Sequence, residues 1–145
     1  MEPHITKAFM RDEKVVEKVK PKTIRRVISK KTSQQMLEIL KSAVKEGTGR
    51  NAAIEGFDVA GKTGTAQKYI SKTKSYSKTE FVSSFIGYAP ADSPRLVILV
   101  MIDNPKGVHW GSVVAAPVFR EIAKKSLRYL NVLSNEEHVF ILNRA

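Results

Sequence analysis

The chain is 145 residues long, 42% hydrophobic, and carries a formal charge of +11, with no cysteine and three histidines. Such a length fits one domain or part of one, able to bury about 70% of its unfolded surface if it closes on itself. Without cysteine neither a thiol nucleophile nor a disulfide is possible, and His4, His109 and His138 are too scattered for a metal site.

In chain order, residues 3–10 and 15–19 alternate loosely around Arg11-Asp12-Glu13-Lys14, which predicts a short hairpin. Thr32 and Gln35 form a capping-box pattern, and Met36, Leu37, Leu40 and Val44 recur at helical spacing. A helix is therefore expected over residues 33–45, ended by Gly47 and Gly49. Residues 56–66 read as a strand, and residues 68–78, polar and basic with Tyr69 and Tyr76, as an exposed loop. Residues 81–89 and 95–103 are apolar runs joined by Pro90-Ala91-Asp92-Ser93-Pro94, the pattern of an antiparallel hairpin. The second run is apolar on both faces, so it is expected to be central and covered on both sides. A last helix reaches about Leu130, with Phe119, Ile122, Ala123, Leu127 and Leu130 on one face, and Pro117 either starts or kinks it. The sum is an α+β arrangement: a three-stranded antiparallel sheet with a helix before it and a helix after it.

Charge is uneven, with 18 basic and 9 acidic side chains in residues 1–80 against 7 and 5 in residues 81–145. The basic half is either a solvated face or a field for anionic partners such as nucleic acid, acidic lipid or peptide carboxylates. The longest apolar run, residues 96–102, is far below the roughly 20 residues that span a bilayer, and no signal-peptide pattern is visible at Met1.

The most informative stretch is Val59-Ala60-Gly61-Lys62-Thr63-Gly64-Thr65-Ala66-Gln67. A Lys-Thr-Gly-Thr on a strand edge supplies what serine acyl transfer needs opposite its nucleophile. The edge pairs with a peptide, the glycine admits close backbone approach, two hydroxyls bind a carboxylate, and the lysine gives fixed positive potential. Further blocks accompany it in order: Pro3-His4-Ile5, Gly47-Thr48-Gly49, Ser84-Phe85-Ile86-Gly87-Tyr88-Ala89-Pro90-Ala91-Asp92, and Ala115-Ala116-Pro117-Val118-Phe119. Together they resemble the end of a class B penicillin-binding protein, the D,D-transpeptidase that cross-links bacterial peptidoglycan, and the loop and final helix resemble the cell-division (septal) type more than the elongation type.

The resemblance implies the penicillin-binding and serine β-lactamase-like transpeptidase fold, with two further sheet strands contributed by other sequence. It also implies a location on the outer side of the inner membrane, with the anchor outside this stretch. Expected partners are stem peptides ending in D-Ala-D-Ala, β-lactams and other cell-division proteins, with no nucleic acid and no metal or organic cofactor. Residues 1–131 are expected to be the C-terminal part of the transpeptidase domain and residues 132–145 a tail without an assigned role. Lacking the other strands, such a stretch would have an open edge and an uncovered apolar face, a state prone to aggregation.

Within the resemblance, Lys62 acts in the cleft on a second serine and on proton movement to the leaving amine. Thr63 and Thr65 offer hydroxyls to the substrate carboxylate, the Thr65 backbone N–H completes an oxyanion hole, and Gly64 clears space. Trp110, in Lys106-Gly107-Val108-His109-Trp110-Gly111-Ser112, either lines the cleft or packs, and Ser112 replaces a second glycine usual in the family. The family's nucleophile lies in Ser-x-x-Lys and its second serine in Ser-x-Asn. No Ser-x-Asn occurs here, and the Ser-x-x-Lys pairs at Ser42, Ser71 and Ser75 have no buried helix to start, so this stretch alone is expected to be inactive.

Two rival readings use the same residues. Gly56 to Thr63 fits the phosphate-loop pattern G-x-x-x-x-G-K-[ST], with residues 99–103 as an apolar strand ending in an aspartate, but an NTPase needs a buried strand before the loop and a helix after it. A basic nucleic-acid-binding module would stack bases on Tyr69 and Tyr76.

Overall fold

The computed structural model describes residues 1–134, in two units that divide between Ser33 and Gln34. The rest of the expected tail, residues 135–145, lies outside the described residues.

The first unit holds the expected hairpin, β1 (Ala8–Arg11) and β2 (Lys14–Lys18), paired antiparallel. Asp12 and Glu13 turn it with φ of 48° and 61°, the left-handed pair that matches strand twist in a two-residue turn. Helix α1 (Lys30–Lys45) starts a turn earlier than expected. Ser29 rather than Thr32 caps it, its Oγ accepting the Thr32 N–H at 3.0 Å.

In the second unit α1 is followed by a 3-10 turn (Arg50–Ala52), then β3 (Ala60–Ile70), β4 (Ser75–Ala89) and β5 (Leu96–Asp103), then α2 (Gly111–Val114) and α3 (Ala116–Tyr129). The strands form one antiparallel sheet in the order β3-β4-β5. This is the expected α+β arrangement.

The core lies on one face of that sheet. Phe85 and Val100 of the sheet meet Phe119, Ala123 and Leu127 of α3, and Phe85 and Phe119 pack with ring centroids 4.8 Å apart. Gly61 and Gly87 pair directly across β3 and β4, and a Cβ on either would come within 2.6 or 2.8 Å of the Phe85 ring. The glycine pair is thus a flat floor for the aromatic rings. Pro117 stands in the first turn of α3 and starts it. Ile122 and Leu130, expected on the buried stripe, are 44% and 39% exposed, because α3 packs along the narrower line through Ala116, Phe119, Ala123 and Leu127.

Two further expectations are corrected. Residues 68–78 are not a loop: β3 and β4 extend through them as a hairpin, with Tyr69 opposite Tyr76, and a cross-strand aromatic pair outweighs the polar composition. And β5, expected to be central and covered on both sides, stands at the end of the sheet among the described residues and is covered on one face, leaving Val97, Leu99 and Met101 exposed beside Ile86, because α3 packs on the other side.

Lys41 braces α1 against the sheet, with Nζ 2.9 Å from Asp58 and 3.1 Å from Asp92. The hydrogen bond to Asp58 raises the Lys41 pKa above the ordinary 10.5, against opposing desolvation. Burial raises that of Tyr88 above 10.0, aided by Asp92. Both groups hold their protons more tightly folded than unfolded, so their contribution to stability is complete below about pH 10 and is lost as pH rises through the raised values. Melting temperature should hold from neutral pH to about pH 9 and drop above about pH 10.5, and Lys41→Ala should cost about 0.5–1 kcal/mol at neutral pH. Denaturant titration of Phe119→Ala should show a loss of about 3–5 kcal/mol.

Candidate active site

Strand β3 leaves the core at Gly61 and carries Lys62, Thr63, Gly64 and Thr65 along its exposed part. It pairs with β4 on one side only, and its other edge has no strand partner among the described residues. Strand alternation sends Lys62 and Gly64 to one face, and Thr63 and Thr65 to the face that carries α2.

The hydroxyls are held in a definite order. The Lys62 ammonium donates to the carbonyl and to Oγ1 of Thr63, both at 3.3 Å. Thr63 Oγ1 also lies 3.0 Å from Thr48 Oγ1, in the loop after α1. Thr65 Oγ1 accepts the Gly111 N–H at 3.1 Å. A hydroxyl has one proton, so with Thr65 Oγ1 already accepting, its O–H is free to donate to an acceptor laid along β3.

The loop before α2 is fastened to these strands. A Cβ on Gly111 would strike the Ser84 carbonyl oxygen and come within 2.5 Å of the Gly64 carbonyl oxygen. The fully buried Ser83 hydroxyl donates to the His109 carbonyl, and the His109 ring stacks on Phe81 at 3.9 Å and 7°. Trp110 is 58% exposed, with its ring 4.8 Å from that of His109. It is no core tryptophan, and it stands one residue from the Thr65 contact. Ser112 needs no glycine conformation, since it lies in α2, and its carbonyl accepts a hydrogen bond from Asn51 Nδ2 at 2.8 Å.

Gly64 has a packing reason of its own, because a Cβ there would sit 2.5 Å from Ser84 Oγ. The supports Thr48, Ser83, His109 and Gly111 were not singled out as site residues from sequence. Thr48 falls inside the quoted Gly47-Thr48-Gly49 block and Gly111 beside Trp110, whereas nothing local marks Ser83.

Neither rival is favoured by this geometry. Lys62 and Thr63 lie inside an extended strand that continues to Ile70, with no helix after them to turn N–H groups toward a phosphate. The basic segment forms the end of that same hairpin, where Tyr69 and Tyr76 pair with each other. Ser42 is exposed within α1, and Ser71 and Ser75 lie at the hairpin tip, so none opens a buried helix.

Residues 1–124 match the penicillin binding protein transpeptidase domain. The chain belongs to this family. Its relatives place it among the class B penicillin-binding proteins. It is 45% identical over 140 residues to Stage V sporulation protein D of Bacillus subtilis, covering 94% of this chain and 21% of that protein. It is 42% identical over 110 residues to the probable peptidoglycan D,D-transpeptidase PenA of Neisseria flavescens, covering 74% of this chain and 27% of that one. The structure of penicillin-binding protein 3 from Mycobacterium tuberculosis complexed with ampicillin matches with a TM-score of 0.72 and 35% identity, over 83% of this chain and 28% of that one. The transpeptidase-family chain thus spans about a quarter of the curated relatives it matches. Among the described residues no helix is long and apolar enough to cross a membrane.

Gly111→Ala should destabilise by about 1–3 kcal/mol, as overpacking does. Gly64→Ala should also be costly, but much less so in a Ser84→Ala background, which removes the clashing Oγ. Denaturant melts of the two single variants and the double variant check this, and equal costs of Gly64→Ala in both backgrounds would show that the cross-strand contact is not what demands glycine.

Proposed function

We propose that this chain is the C-terminal part of the catalytic domain of a peptidoglycan D,D-transpeptidase of the division type, acting on stem peptides at the outer side of the bacterial inner membrane. One observation carries it: an extended edge, open among the described residues, presents Lys62, Thr63 and Thr65 in the family's Lys-Thr-Gly order. The division type is supported by the loop and last-helix sequences and by relatives named FtsI, such as that of Buchnera aphidicola at 38% identity.

In the reaction a serine from outside this stretch attacks the penultimate D-Ala carbonyl, the terminal D-Ala leaves, and an acceptor amine resolves the acyl-enzyme. The substrate lies along β3 as an added strand. Its terminal carboxylate accepts hydrogen bonds from the hydroxyls of Thr63 and Thr65, whose oxygens are oriented by Lys62 and the Gly111 N–H. The Lys62 ammonium adds attraction for the carboxylate and the developing oxyanion, which grows as bound substrate excludes water. The Thr65 N–H is one oxyanion donor, and Trp110 walls the cleft beside it. A β-lactam enters by the same contacts. Residues 1–131 form the domain portion, and partners among other division proteins and a membrane anchor belong to the whole protein.

Intact mass after exposure to penicillin should show no penicilloyl adduct on the chain alone, at Ser42, Ser71, Ser75 or elsewhere. Joined to the preceding part of Stage V sporulation protein D, it should be acylated, and Lys62→Ala should slow acylation by about a hundredfold or more. A hybrid that is acylated at full speed with Lys62→Ala would sink the reading.

A further inference from the structure

The tip of the β3–β4 hairpin is left unused by the chemistry above. Tyr69 and Tyr76 face each other across it, ring centroids 5.6 Å apart at 69°, yet are 56% and 65% exposed. Residues 68–78 contain four lysines and no acid. Lys68 is engaged by Asp103 at 2.8 Å, while Lys72, Lys74 and Lys78 have no ion-pair partner among the described residues. The tip is also aimed: buried Ser77 accepts the N–H groups of Thr79 at 3.2 Å and Glu80 at 3.0 Å, which fixes the bend where the tip leaves the sheet.

We infer that this tip is a docking surface for an acidic glycopeptide polymer, the peptidoglycan strand, held beyond the reacting stem peptide. The identity of the polymer rests on the transpeptidase reading; the need for an anionic, ring-bearing partner rests on the tip itself. Sugar rings present C–H faces that lie on exposed tyrosine rings, and peptide carboxylates complement the three lysines. Strand rise puts Tyr69 about 23 Å along β3 from Lys62, so one polymer segment spans both places. Nucleic acid fits less well, because the edge-to-face tyrosine pair offers no parallel slot for bases. A lipid surface fits less well too, because the turn Ser71-Lys72-Thr73-Lys74 carries no apolar side chain to insert.

The test is co-sedimentation of the full chain with peptidoglycan sacculi stripped of attached anionic polymers, corrected for pelleting without polymer. The chain should bind, and more weakly as salt rises beyond about 0.15 M, where screening acts within about 8 Å. Replacing Lys72, Lys74 and Lys78 by glutamine should weaken binding about tenfold. Tyr69→Ala with Tyr76→Ala should cost about fivefold, with unchanged circular dichroism. Lys124→Gln with Lys125→Gln, exposed lysines of α3 with no part in the cleft or the tip, should leave sedimentation as it is. Undiminished binding by the lysine or the tyrosine variant overturns the proposal, as does tighter binding to single-stranded DNA or to anionic vesicles than to sacculi. Acylation of the hybrid by penicillin does not involve the tip, so failure of the unsubstituted chain to bind sacculi, with acylation of the hybrid intact, would count against the docking surface alone.

Discussion

The distance between α3 and the sheet is set by two phenyl rings lying on two glycines. Phe85 and Phe119 pack over the Gly61–Gly87 pair with their planes tilted by 58°, and even a methyl group on either glycine would collide with a ring. That close seating fixes the height of α3, and with it α2 and the loop leading into α2. The loop then reaches the strand edge near enough for the Gly111 N–H to meet Thr65 Oγ1. The geometry of the candidate site is therefore a consequence of core packing on the same sheet face, where Phe85 stands directly across from Thr63, and a looser core would move the hydroxyls.

The site residues also constrain one another's roles. Lys62 has only donors, and Thr63 and Thr65 each have their oxygen engaged by an N–H from the chain itself. What the edge offers outward is protons and positive charge, which suits a carboxylate and penalises a ligand that brings donors of its own. The Lys41 brace serves the same edge from behind, tying α1 to Asp58 just before β3 and to Asp92 in the turn after β4.

Much of this was legible in the sequence because local rules and tertiary packing agree. The helical stripe ending at Val44, the apolar runs flanking Pro90 and the Lys-Thr-Gly strand all appear where periodicity and turn chemistry place them. The misplaced elements are those where a distant partner decides. Tyr69 and Tyr76 sit in a composition typical of loops, and only their pairing across the hairpin turns it into strand. Ser29 outcompeted Thr32 as cap because the two residues satisfy each other, a choice that spacing alone leaves open. Ile122 and Leu130 match the helical period but fall outside the narrow contact that Phe119, Ala123 and Leu127 make. The supports of the site, Ser83 above all, were illegible because a buried serine bonded to a carbonyl 26 residues away leaves no local pattern.

The register slip between Gln67 and Tyr69 has a bearing on what can share the open edge of β3. The extra residues lie on β4, where Ser77 to Glu80 stand opposite Lys68 alone, so the bulge falls on the paired side and β3 itself runs unbroken from Ala60 to Ile70. The support behind the open edge is therefore regular from Ala60 to Gln67 and irregular beyond it, and an added peptide strand would lie on an even backing only over the stretch that carries Lys62, Thr63 and Thr65.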